Sequence, residues 1–121
     1  MATLTEDLVI GDVVKMEERM AFSREVLTLA TSQTISLGEV LEPDSAYVKA
    51  GAVAGNISAI ALEAVTTTSA TADILCLVRH GIVDIDRMTL NSLTEADVVT
   101  QLKTLGIVPY SESSILETQE T

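Results

Sequence analysis

The sequence has one cysteine, one histidine and no tryptophan among 121 residues, and only seven basic side chains against eighteen acidic. Each shortage excludes something. A single cysteine, Cys76, forbids an internal disulfide and removes the usual cysteine-based structural zinc patterns. A single histidine, His80, would have to serve every acid–base role of a Ser–His–Asp arrangement, and no such constellation stands out. The net charge of −11 argues against nucleic acid as a partner, because that binding rests on neutralising phosphates with Lys and Arg. Three aromatic rings, Phe22, Tyr47 and Tyr110, are too few to build stacking platforms for bases, sugars or flat cofactors. No apolar run is long enough for a membrane-spanning helix, since Asp, Glu or Arg interrupts each one. The opening "MATLTEDLVIGDVVKMEERMAF" lacks the basic start and apolar centre of a signal peptide, so cytosolic synthesis is expected.

What is present is aliphatic. Hydrophobic residues make up 47% of the chain and the mean hydropathy is +0.37, which suits one folded domain rather than a disordered chain. Residues 1–22 have mixed character. "DLVIGDVVKM" is β-branched and interrupted by Gly11, while "KMEERMAF" suits a helical turn; Val9, Val13, Met16 and Met20 would share one helix face, but Gly11 and the Val/Ile content argue equally for an extended segment. This zone reads as an arm without a core of its own.

From Ser23 the pattern becomes that of short strands with turns between them. "REVLTLA" alternates, "TSQTIS" turns, and "LGEVLE" gives a second strand. "PDSAYVKAGAVAGN" is rich in turn residues and reads as loop; its glycines lack the following Lys-Ser/Thr of a phosphate loop. "ISAIALEAV" is a strand with small residues interleaved, "TTTSA" a polar turn, and "TADILCLVRHGIVDID" the longest strand. One helix is expected: Thr94 as N-cap answered by Asp97, Val98, Leu102 and Leu105 on one face, Gly106 as the left-handed cap, and Pro109 beyond it. The tail from residue 111 is polar.

The stretch 71–86 holds every residue type from which a reactive centre would be built. In one continuous strand Cys76 and His80 lie about 13 Å apart, too far for a nucleophile and its base. Both strand faces are apolar as far as Val78, so Cys76 occupies the place of a small core hydrophobe. Asp84 and Asp86 fall on one strand face, but a calcium or magnesium site needs further oxygen ligands that the sequence does not supply. The pair reads as solvated charge at a strand end. Catalysis, a metal and a cofactor are therefore not expected.

The order of these motifs resembles a known family. An "REV-T-LA" strand leads to "GEVL"; "AIALEAV" precedes a threonine-rich turn; a long apolar strand ends "VRHGIV"; an acidic/Arg segment, a short helix and "LGIVPY" follow. Over residues 23–110 this is similar to the bacteriophage head decoration protein D family, the lambda-type capsid cementing proteins. The longer acidic N-terminal segment and the polar C-terminal extension depart from it.

The resemblance implies a mainly β, β-clip-like small domain with one short helix and an extended N-terminal arm. It divides the chain into a capsid-binding arm (1–22), a decoration domain (23–110) and a tail (111–121). It also implies a homotrimer, with the major capsid protein as partner, on the outer surface of the virion. There the trimer would bind three-fold positions of the expanded head and hold it against the pressure of packaged DNA, with no enzymatic activity. The arm would add a strand to the capsid protein through Leu8, Val9, Ile10, Val13 and Val14, since "DLVIGDVV" has strand-forming residues and no evident partner within the chain. Two other readings remain. One is a different phage structural component, such as a tail-tube or head-completion protein; the other is a small metal-dependent enzyme using His80, Asp84 and Asp86.

Overall fold

A computed structural model describes residues 10–17, 23–51 and 56–111. A helical turn α1 (Ile10–Val13) runs into strand β1 (Val14–Glu17). Then follow β2 (Arg24–Leu29), β3 (Thr34–Ile35), β4 (Val40–Pro43), β5 (Tyr47–Lys49), β6 (Ala59–Ala61), β7 (Val65–Thr66), β8 (Ala72–Leu77) and β9 (Gly81–Asp84). A 3-10 turn (Ile85–Arg87), helix α2 (Glu95–Thr104) and β10 (Ile107–Tyr110) complete the order. The expected mainly β domain with one short helix is what forms.

The strands make three groups. β2, β5, β4, β6 and β8 close into a small barrel, β1, β9 and β10 form a three-stranded sheet with β9 in the middle, and β3 pairs with β7 as a two-stranded ribbon. The longest ladder is β2 against β8, antiparallel from Arg24↔Leu77 to Leu29↔Ala72. The strand period of two explains why β4, β6 and β8 carry so few polar residues. Leu41, Ala59, Ala61, Ile74 and Cys76 turn into one cluster, with Leu29 and Ile35. Their neighbours Val40, Ile60 and Leu77 turn the other way, into a second cluster with Val13, Val83, Val98, Leu102 and Ile107. These strands are thus buried on both faces, as the apolar run before Arg79 implies.

The second cluster joins the helix and the three-stranded sheet to the barrel. Thr94 caps α2 as expected: its Oγ1 accepts the Asp97 N–H at 3.3 Å. Val98 and Leu102 are its buried residues, and Gly106, at φ +76°, ends it in the left-handed region. β10 then lies parallel to β9.

Four expectations need correction. The stretch 71–86 is two strands in different sheets, broken at residues 78–80, where His80 takes φ +52°. Ser23 fastens that break: its Oγ donates to the His80 carbonyl at 2.9 Å, and its own carbonyl accepts the Val78 N–H at 2.8 Å. Tyr47–Lys49, expected as loop, is a barrel strand, and Thr34–Ile35 within the expected turn pairs with β7.

The fourth concerns the N-terminal segment, whose residues 13–17 have a partner inside the chain. β1 pairs antiparallel with β9 through Val14↔Val83 and Met16↔Ile82, and Val13 and Val14 are buried in the second cluster.

Candidate functional site

The residues that would make a reactive centre are dispersed by the fold. Cys76 is fully buried inside the barrel, and its Sγ approaches only a carbonyl, that of Ile74, at 3.7 Å. Burial, with the charges of Glu63 and Glu25 adding to it, pushes the thiol up to about 12, so no thiolate forms near neutral pH. His80 stands outside, exposed at the break between β8 and β9, with its ring packed at 3.5 Å from where a Cβ on Gly106 would be. Arg79 reaches back to Glu25 on β2 as an ion pair.

Asp84 and Asp86 do not share a strand face, because Asp86 lies in the 3-10 turn. Asp84 is buried at the turn's N-cap and accepts the Asp86 N–H at 3.1 Å. Asp86 is exposed and accepts a hydrogen bond from Ser111 Oγ at 2.8 Å. Asp84 thus caps the local turn, and Asp86 ties that turn to the residue after β10. Among the described residues no group of three or more His, Cys, Asp or Glu is placed to hold a metal ion.

Two other acids are buried, and both have structural partners. Glu42 on β4 accepts the Gly51 N–H, supporting a turn in which Gly51 has φ +99°. Glu39 accepts the Ser36 N–H at 2.9 Å and lies 3.8 Å from Lys49 Nζ. These bonds satisfy groups that would otherwise be costly to bury.

Of the five arm residues singled out in the sequence, Leu8 and Val9 lie outside the described residues. Ile10 packs partly buried against the second cluster, and Val13 and Val14 are core. The three described residues therefore root the segment in the domain.

What the surface does present is apolar. Met16, Val26 and Val108 are the exposed large hydrophobics among the described residues. Met16 and Val108 belong together, since each pairs with Ile82, one from either side of β9. Directly paired residues point to the same face of a sheet, so Met16, Ile82 and Val108 form one row across all three strands. The opposite face of the same sheet carries the buried Val14, Val83 and Ile107.

A groove runs along this row, bordered by His80, Gly81 and Gly106. At its β1 end Glu17 takes Arg24 in a two-pronged ion pair, Nε–Oε2 at 3.0 Å and Nη2–Oε1 at 2.7 Å, which ties the sheet to the barrel. The row has no local signal in the sequence, where Met16 fits a helix face as well as an extended segment. The pairing that creates it joins residues 66 positions apart.

An acidic chain folded as a small β-barrel with an apolar row on its surface has the features of an interaction module. The family model of bacteriophage lambda head decoration protein D matches residues 3–107, and the chain belongs to that family. No curated protein and no solved structure matches it significantly. The match confirms the resemblance read from the motifs and extends it through the acidic N-terminal segment. The chain is thus a structural protein of the phage head, with the capsid as its binding partner and the virion as its location.

Proposed function

We propose that this protein binds the expanded phage head as a homotrimer, at three-fold positions on the outer surface. There it reinforces the shell against the pressure of packaged DNA. The observation that carries this reading is the family match, which runs from residue 3 through β1, the barrel and α2 to Ile107. A closed three-fold assembly buries matching patches without open-ended growth.

The segment ahead of β1 is the proposed arm. Leu8 and Val9 would contact the major capsid protein, with Ile10, Val13 and Val14 anchoring them to the domain. Each residue that becomes ordered on binding costs on the order of 1 kcal/mol in backbone entropy, which docking has to offset. Strand pairing with the shell protein and burial of the aliphatic side chains supply the offset. Three arms on one trimer add avidity, because after the first docks the others bind intramolecularly.

The test mixes expanded, undecorated shells with full-length protein and with protein lacking residues 1–9, and measures occupancy. Strong loss of occupancy for the shortened protein is expected. Equal occupancy would move the binding surface wholly onto the folded domain.

A further inference from the structure

We infer that Asn91 is a site of spontaneous modification: its side chain closes on the backbone nitrogen of Ser92, expels ammonia and becomes aspartate or isoaspartate. The inference is independent of the capsid reading, since it rests on the geometry of one turn.

Residues 90–93 form a β-turn closed by the Leu93 N–H, which donates to the Leu90 carbonyl at 3.1 Å. Asn91, the first central residue, has φ +59°, while Ser92 stays at negative φ. A positive φ at the first central position alone marks a type II′ turn, which sets ψ of that residue near ~−120°. Such a ψ swings the next nitrogen to the side of the residue's own Cβ. A five-membered ring between Cγ and that nitrogen then closes without moving the backbone, and it holds the turn in the shape it already has. The reacting groups are also accessible. Asn91 and Ser92 are both exposed, so water and hydroxide reach them. The Ser92 N–H makes no hydrogen bond to any described residue. The Asn91 carboxamide is held by one long bond, from Nδ2 to the Ala50 carbonyl at 3.4 Å.

In the reaction the bond from Ser92 N to Asn91 Cγ forms and the Cγ–Nδ2 bond breaks. The amide nitrogen leaves as ammonia, taking up the equivalent of the proton that Ser92 gives up. Water then adds at either ring carbonyl, giving aspartate or, with the backbone routed through the side chain, isoaspartate. One water is consumed, one ammonia is released, and one negative charge is added to the −11. The new carboxylate cannot donate to the Ala50 carbonyl, so the turn loses its tie to the residue after β5. Asn56, the other asparagine in the chain, provides the contrast. The residue after it, Ile57, is β-branched and buried, and its N–H donates to Gln101 Oε1 at 2.6 Å. That nitrogen is engaged and shielded.

The experiment incubates the intact protein at mildly alkaline pH and follows both asparagines by peptide mass mapping. Trypsin separates them: cleavage after Arg87 and Lys103 frees residues 88–103 with Asn91, and cleavage after Lys49 and Arg79 frees residues 50–79 with Asn56. The same two peptides, incubated free, give the reference rates. Asn91 should convert in the folded protein at least as fast as in its free peptide, with isoaspartate among the products. Asn56 should convert about tenfold or more slowly than in its own peptide, because it reacts only when the fold opens locally. Asn91→Gln should remove the more acidic band that the parent accumulates on native electrophoresis. Four results overturn the inference: slower conversion of Asn91 in the folded protein than in the peptide, product without isoaspartate, no protection of Asn56 relative to Asn91, or an acidic band that persists in Asn91→Gln.

Discussion

Cys76 shows how a residue type that invites a chemical reading is fixed by its surroundings. Its thiol, raised from 9.0 to about 12 mainly by burial, stays protonated wherever the domain is folded near neutrality. Between about pH 9 and pH 12 the unfolded chain has released this proton while the folded chain keeps it. The contribution to stability is therefore complete below pH 9 and falls as the pH rises, by at most about 1.4 kcal/mol per pH unit. Urea titrations of the parent and Cys76→Ala should show this directly. The variant should be less stable at pH 7 by about 1 kcal/mol from the lost packing. That gap should shrink above pH 9, and a constant gap up to pH 11 would refute the buried, protonated thiol. Gly81 makes the complementary point. A Cβ there would meet the Met16 carbonyl oxygen at 2.9 Å, so the glycine is what lets β1 lie against β9.

The elements differ in how far the sequence announced them. β2, β8 and α2 were legible because their signals are local: alternation in "REVLTL", a doubly apolar run in "ADILCL", and a cap from Thr94 to Gly106. β5 was not, because three residues between turn formers carry no period of their own. The break at His80 was hidden because a non-glycine residue sits at positive φ, held there by Ser23 from a distant part of the chain. Most consequential was β1. Its partner lies far along the sequence, and no local rule shows that residues 13–17 belong to the domain. This changes what truncation should do. Removing residues 1–9 should leave stability within about 0.5 kcal/mol of the parent. Removing residues 1–20 takes away β1 together with Val13 and Val14, at a cost of about 3–6 kcal/mol from burial of the two valines alone. Denaturation midpoints decide the point: similar midpoints for both truncations would mean that β1 does not hold the domain together.

At the scale of the molecule, the fold separates two tasks. The barrel and α2 enclose the core, while the three-stranded sheet carries the root of the N-terminal segment and the apolar row on its open face. The sequence made the assembly role legible through the order of its motifs, and the composition was consistent with it in lacking basic patches, aromatics and a clustered set of reactive groups. It did not reveal the row, which exists only once β1 and β10 are laid on either side of β9. The most direct test of the account is a reconstruction by electron microscopy of expanded shells saturated with this protein. The account predicts protrusions at the three-fold positions of the outer surface, each with room for three copies of the barrel and with the N-terminal segments toward the shell. Density at any other position, or a shell-facing surface made by the far side of the barrel, would contradict it.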